Sequence, residues 1–116
     1  MDATPLFDRP DATVRFEPGA TIFRKGDPPD VMYVVLEGTV AIGTDEGVLD
    51  RIEAGGLFGE MALIDDAPRS ASAWAETHVA LSPVDKDRFH DLVARTPHFA
   101  VQVMSVMADR MRRLIG

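Results

Sequence analysis

The spacing of glycine and proline constrains this chain most. Pro18-Gly19, Gly26, Pro28-Pro29, Gly38, Gly43, Gly47, Gly55-Gly56 and Gly59 punctuate its first half. Breaks this frequent leave no room for a long helix, because each glycine or proline weakens or ends one. The runs between them are "TVRF" from Thr13, "TIF" from Thr21, "VMYVVL" from Val31, "TVAIG" from Thr39 and "VLDRI" from Val48. All are rich in β-branched and aromatic residues and read as short strands. Glu37-Gly38 and Glu46-Gly47 fall between such runs, where a tight turn needs a residue that tolerates positive φ. "SASAWAE" and "VALSPV" continue the pattern through Val84. Many short strands at close spacing imply a sandwich or an antiparallel β-roll of the jelly-roll kind.

From Asp85 the period changes. Phe89, Leu92 and Val93 fall at helical spacing behind an Asp85 N-cap, and Thr96-Pro97 interrupts the helix. A second helix is expected from Pro97 to Leu114. Along it, Ala100, Met104, Met107, Met111 and Leu114 form one apolar seam suited to core packing or a dimer contact. The expected fold is therefore mainly β with C-terminal helices (α+β): a β-roll over 12–84 and a helical lid over 85–114, in a single domain of 116 residues.

Composition removes several function classes. Cysteine is absent, so disulfides and thiolate metal sites are excluded. The longest apolar run, Val31 to Leu36, is far too short to span a membrane. "MDATPLFDRP" has no basic start and no apolar stretch, so it is not a secretory signal, and a cytoplasmic location is expected. A net charge of -7 argues against a direct nucleic-acid partner. The basic residues Arg110, Arg112 and Arg113 sit where a helix C-terminus favours positive charge. His78, His90 and His98 are scattered and form no metal-ligand pair. Adjacent Asp65 and Asp66 read as a polar loop rather than paired acids, and Trp74 as a core residue. No catalytic constellation appears, so no enzyme, metal or cofactor is expected.

One stretch carries chemistry: "FGEMALIDDAPRSASA", from Phe58 to Ala73. Gly55-Gly56 and Gly59 let backbone approach another group closely. "EMALI" can form one helical turn whose first N–H groups face an anion. Arg69 supplies a planar fork of donors that matches phosphate oxygens. Ser70 adds a hydroxyl, and the small side chains of Ser70 and Ala71 leave room for a ligand. Glu60, an acceptor when ionised, suits hydroxyl groups such as those of a ribose. The set accepts a phosphate on one side and sugar hydroxyls on the other. The alternative is that Arg69 pairs with Asp65 or Asp66 on a solvated loop.

Phe58, Gly59, Glu60, Ala62, Leu63, Pro68, Arg69, Ser70 and Ala71 together resemble the phosphate-binding cassette of the cyclic nucleotide-binding domain family, known from the sensor half of the catabolite activator protein, cyclic-AMP-dependent kinase regulatory subunits and nucleotide-gated channels. Upstream, Phe16, Gly19, Ile22, Gly26 and Asp27 are similar to its early strand-and-turn signature, and "YVVLEGTV" from Tyr33 to its central hairpin. "DKDRFHDLVARTPHFA" from Asp85 resembles its first C-terminal helix and the start of its lid, so the likeness covers residues 12 to 114.

The resemblance implies a non-catalytic sensor whose ligand is a cyclic nucleotide. Arg69 would hold the cyclic phosphate, with donors from the Ala62 and Ser70 backbone. Glu60, beside Gly59, would accept from the ribose 2′-hydroxyl. Phe58, Met61, Pro68 and Ala71 would complete the site, and Met107, Arg110 and Met111 are the candidate base or lid contacts. Serine at position 70 points to cyclic AMP, with cyclic GMP open. The last helix would fold over the base and signal to a downstream protein, in a monomer or in a homodimer through that helix. The alternative is an interaction module with the same fold that uses no ligand. The short start and the end at Gly116 suggest a stand-alone sensor or an excised domain.

Overall fold

A computed structural model describes residues 13–63 and 66–115. Among the described residues eight strands come first: β1 (Val14–Phe16), β2 (Thr21–Phe23), β3 (Met32–Glu37), β4 (Thr39–Thr44), β5 (Gly47–Glu53), β6 (Leu57–Phe58), β7 (Ser72–Ala75) and β8 (Val79–Val84). A 3-10 turn, Glu60–Leu63, separates β6 from β7. Two helices close the chain, α1 (Lys86–Arg95) and α2 (Pro97–Ile115). The strands form two antiparallel four-stranded sheets in the orders β1-β8-β3-β6 and β2-β7-β4-β5. This is the β-roll with a helical end that the glycine spacing and the change of period imply. Among the described strands the sequence pattern missed β6, whose two residues are too few to show an alternation.

Two apolar clusters hold the layers. Val35, Val40, Ile52, Phe58, Ala73, Ala75, Val79 and Leu81 pack between the sheets. Met32, Val34, Leu57 and Val84 face the other way and meet Phe99 and Val103 of α2. The first sheet is therefore covered on both faces, which is why β3 reads as a nearly unbroken apolar run. Asp85 is the N-cap of α1, its Oδ1 accepting the Arg88 N–H at 2.8 Å. At the junction the Thr96 N–H donates to Leu92 O at 2.8 Å, and α2 starts at Pro97.

Two packing expectations need correction. The methionine seam of α2 is only partly core. Met107 packs against the core, whereas Met104 and Met111 are 58% and 60% exposed. The inward face is set instead by Phe99, Val103 and Val106, stiffer groups that fill the space over the first sheet. Met104 and Met111 thereby join Val101 on an outward stripe, and the Leu114 side chain lies outside the described residues. Trp74 is the second correction. Its neighbours Ala73 and Ala75 take the inward positions of β7, and alternation turns the indole outward, half-buried, over Gly43.

Gly38 and Gly19 both adopt a φ of +86°. A Cβ on Gly38 would lie 2.1 Å from His78 O, whereas one on Gly19 would meet nothing within 4 Å. Gly19→Ala is therefore expected to cost about 1 kcal/mol, the left-handed penalty alone. Gly38→Ala adds a backbone clash and should cost roughly 3 kcal/mol. The two midpoints of urea unfolding measure the difference.

Candidate functional site

The site grows from two turns that meet. Arg24 to Asp27 form a tight turn in which Asp27 Oδ2 accepts the Arg24 N–H at 2.9 Å and Gly26 has a φ of +91°. This turn grips the backbone of Arg69 from both directions. Gly26 N–H donates to Arg69 O at 2.8 Å, and Arg69 N–H donates to Asp27 O at 2.9 Å. The side chain is thereby aimed inward at a fixed height, although it lies in a loop before β7.

The Arg69 side chain is 5% exposed. Nη1 donates to Gly59 O at 3.3 Å, and Nη2 donates to Val31 O at 2.5 Å and to Asp30 Oδ1 at 3.2 Å. Behind it the Phe23 ring centre lies 4.1 Å from Cζ, a cation–π contact. Phe23 is itself stacked against Tyr33 and tilted on Phe58, at 6.5 and 6.0 Å between ring centres. A bulge in the pairing of β2 with β7 shifts the register between Thr21 and Phe23 and so sets the Phe23 ring in this position. Burial, then the charge of Asp30, raises the Tyr33 hydroxyl above its ordinary pKa, and the Arg69 charge opposes that rise.

A guanidinium has five N–H donors. Three are used within the protein, which leaves one hydrogen on Nη1 and the one on Nε. Nε is buried and makes no hydrogen bond to the protein. A buried cation with two free donors matches an anion with several acceptor oxygens. Gly59 is required here for a geometric reason. Its φ is +76°, and a Cβ would sit 2.9 Å from Arg69 Nη1, in the place of the guanidinium. Arg69 is buried rather than on a solvated loop, and Asp66 pairs with Lys86; Asp65, the other partner considered, lies outside the described residues.

Glu60 is the second buried charge, 2% exposed at the start of the 3-10 turn. Its Oε1 accepts from Nη1 of Arg110 on α2. Nη2 of Arg110 donates to Leu57 O at 2.8 Å, and Nε stands 3.7 Å from Asp50 Oδ2. One arginine thus ties α2 to β5, to β6 and to the cassette. Of the other candidates, Phe58 is buried behind the site and Gly59 immediately precedes Glu60. The Ala62 backbone belongs to the 3-10 turn. Met61, Pro68 and Ser70 are exposed and Ala71 is half-buried. Met107 packs in the core, and Met111 points outward rather than over the cassette.

Sequence reasoning did not find Phe23, Asp30, Val31 or Asp50. Only the early turn signature, through Gly26 and Asp27, signalled that a distant segment braces Arg69.

Removing the Arg110 guanidinium would leave Glu60 buried without a cation. Arg110→Met is expected to cost about 2–4 kcal/mol. Adding Glu60→Gln should recover more than half of that loss, because no buried charge then remains unpaired. A double-mutant cycle of unfolding free energies checks both numbers.

Comparison with known proteins gives this geometry its context. Residues 13–96 match the family model described as the cyclic nucleotide-binding domain. The chain is 33% identical over 105 residues to a CRP-like cAMP-activated global transcriptional regulator of Mycobacterium tuberculosis, covering 86% of this chain and 47% of that one. It is 42% identical over 82 residues to a cyclic nucleotide-gated potassium channel of Mesorhizobium japonicum, covering 71% and 22%. To a cAMP-dependent protein kinase regulatory subunit of Emericella nidulans it is 39% identical over 84 residues, covering 70% and 20%. The chain spans at most about half the length of these relatives. Among solved structures, the Thermus thermophilus catabolite activator protein superposes with a TM-score of 0.79 at 32% identity, over 88% of this chain and 50% of that one. With buried Glu60 and Arg69 in one cassette on a two-sheet roll, this chain belongs to the cyclic nucleotide-binding domain family.

Proposed function

We propose that this chain is a non-catalytic sensor module that binds a cyclic nucleotide, cyclic AMP before cyclic GMP, and that binding is read out through α2. The observation that carries the reading is Arg69: a buried guanidinium, fixed on three sides, with two donors unused by the protein. A cyclic phosphate supplies one negative charge and two exocyclic oxygens, which fits that remainder. The Ser70 hydroxyl and backbone and the Ala62 backbone are the further donors on the same loop. Glu60 is the acceptor for the ribose 2′-hydroxyl. Its carboxylate already carries Arg110, so a ribose hydroxyl arriving there shares an oxygen pair with α2. Phosphate contact at Arg69 and helix position at Arg110 are then linked through two residues of one loop, and a population shift of α2 is the output. The outward stripe of Val101, Met104 and Met111 is the apolar surface through which a downstream protein or a second copy would read that shift.

Calorimetric titration tests the reading. Cyclic AMP should bind in the micromolar range or tighter, about -8 kcal/mol. Arg69→Ala should weaken it by roughly 2–5 kcal/mol, since a phosphate charge is then left without its cation. Replacing cyclic AMP by its 2′-deoxy form should cost less, about 1–3 kcal/mol. Equal binding of the two nucleotides would remove Glu60 from its assigned role. No binding of either cyclic nucleotide at millimolar concentration would favour the ligand-free interaction module. Hydrogen exchange should slow on binding both between Gly59 and Ala71 and along α2; slowing in the loop alone would leave α2 without an output role.

A further inference from the structure

Asp30 pairs with Arg69 from the surface, outside the cassette motif. Its side chain is 76% exposed, while that of Arg69 is 5% exposed, so the pair runs from solvent to interior. The same oxygen, Oδ1, accepts from Arg69 Nη2 at 3.2 Å and from the Val31 N–H at 2.8 Å. The remaining groups on the guanidinium are the carbonyls of Gly59 and Val31 and the Phe23 ring, none of which carries a net charge. We propose that Asp30 is a resident counter-anion that lowers and thereby sets the affinity of the Arg69 site for phosphate. The inference rests on the cyclic-nucleotide reading and adds the residue that tunes it.

A buried cation is costly without an opposite charge. Asp30 offsets that cost in the free protein. When a phosphate takes the two unused donors, two anions face one cation, and the carboxylate loses part of its gain and repels the newcomer. A contact that stabilises the free state more than the bound state weakens binding by that difference. Asp30 is not needed to aim Arg69. The Gly26 and Asp27 backbone holds the main chain, Val31 O and Gly59 O hold the guanidinium edge, and Phe23 holds its face. The field of Asp30 also reaches inward, since its charge is one cause of the raised Tyr33 pKa.

Asp30→Asn tests this cleanly, because the amide keeps an acceptor oxygen for Val31 and Arg69 and loses only the charge. The full chain, Asp30→Asn, Asp30→Ser and the charge-keeping Asp30→Glu are titrated with cyclic AMP and cyclic GMP at two salt concentrations, and the free proteins are melted in parallel. The two neutral variants should bind about threefold to tenfold tighter, the range set by an exposed charge at close range. Their gain should shrink at high salt, and their free forms should melt at or below the parent temperature. Asp30→Glu should bind within about twofold of the parent. Tighter binding with no gain in free stability supports the proposal, because a positioning role would lower affinity and stability together. Neutral variants that bind equally or more weakly than the parent overturn it while leaving the cyclic-nucleotide reading intact. If the folded parent and variants bind neither nucleotide, that reading falls and this inference with it.

Discussion

A guanidinium inside a small β-roll needs acceptors for its hydrogens and an opposite charge nearby. Arg69 is that group, and much of the local architecture answers to it. The Arg24–Asp27 turn exists to grip its backbone. Gly59 leaves the space its Nη1 occupies. The bulge in β2 brings Phe23 under its face, and Phe23 leans in turn on Tyr33 and Phe58, whose rings stack at 5.3 Å. An aromatic wall and a glycine loop would be unremarkable separately. Together they hold a cation in a dry place while leaving part of its hydrogen-bonding capacity unspent, which is the physical requirement for binding an anion tightly.

The second buried charge, Glu60, has the opposite sign and starts the very next turn of chain. The simplest way to neutralise two such groups would be to pair them. The fold does otherwise: the carboxylate on Arg69 belongs to Asp30, and the cation on Glu60 belongs to Arg110. Each partner arrives from a different element, one from the loop before β3 and the other from α2. Keeping the pairs separate preserves a cationic face and an acceptor face side by side. It also makes α2 part of the site's electrostatics, since the helix is docked through apolar contacts at Phe99 and Val103 and through Arg110 on Glu60.

The legible parts of this molecule are those written in contiguous sequence. Turn glycines at Gly38 and Gly47, the strands between them, the Asp85 cap and the Pro97 helix start are each decided by neighbours within a few residues. The cassette was legible for the same reason: Gly59, Glu60 and Arg69 lie on one short segment. The partners that make those residues work lie far away along the chain. Asp30 is 39 residues from Arg69, and Arg110 is 50 from Glu60. Side-chain spacing carries no signal at that range. The seam on α2 shows the complementary failure. Methionines at regular spacing outweighed Phe99 and Val103 in the pattern, although stiff groups are better suited to a fixed core and flexible methionines tolerate the surface.

The acidic balance of the chain, -7, is at odds with an anionic ligand only if charge is averaged over the molecule. At physiological ionic strength exposed charges beyond roughly 8 Å are screened. Many of the acids here are also engaged locally, as Asp66 is with Lys86, Glu76 with Arg51, Asp91 with Arg95 and Asp109 with Arg112. What an approaching phosphate meets is set by the few groups inside that radius, and inside it the Arg69 cation is shielded from water while the Asp30 carboxylate is not. Burial strengthens the attraction and exposure weakens the repulsion, because the same Coulomb interaction falls severalfold between a protein-surface environment and bulk water. The asymmetry in exposure, more than the count of charges, lets an acidic surface keep a buried cation attractive to anions.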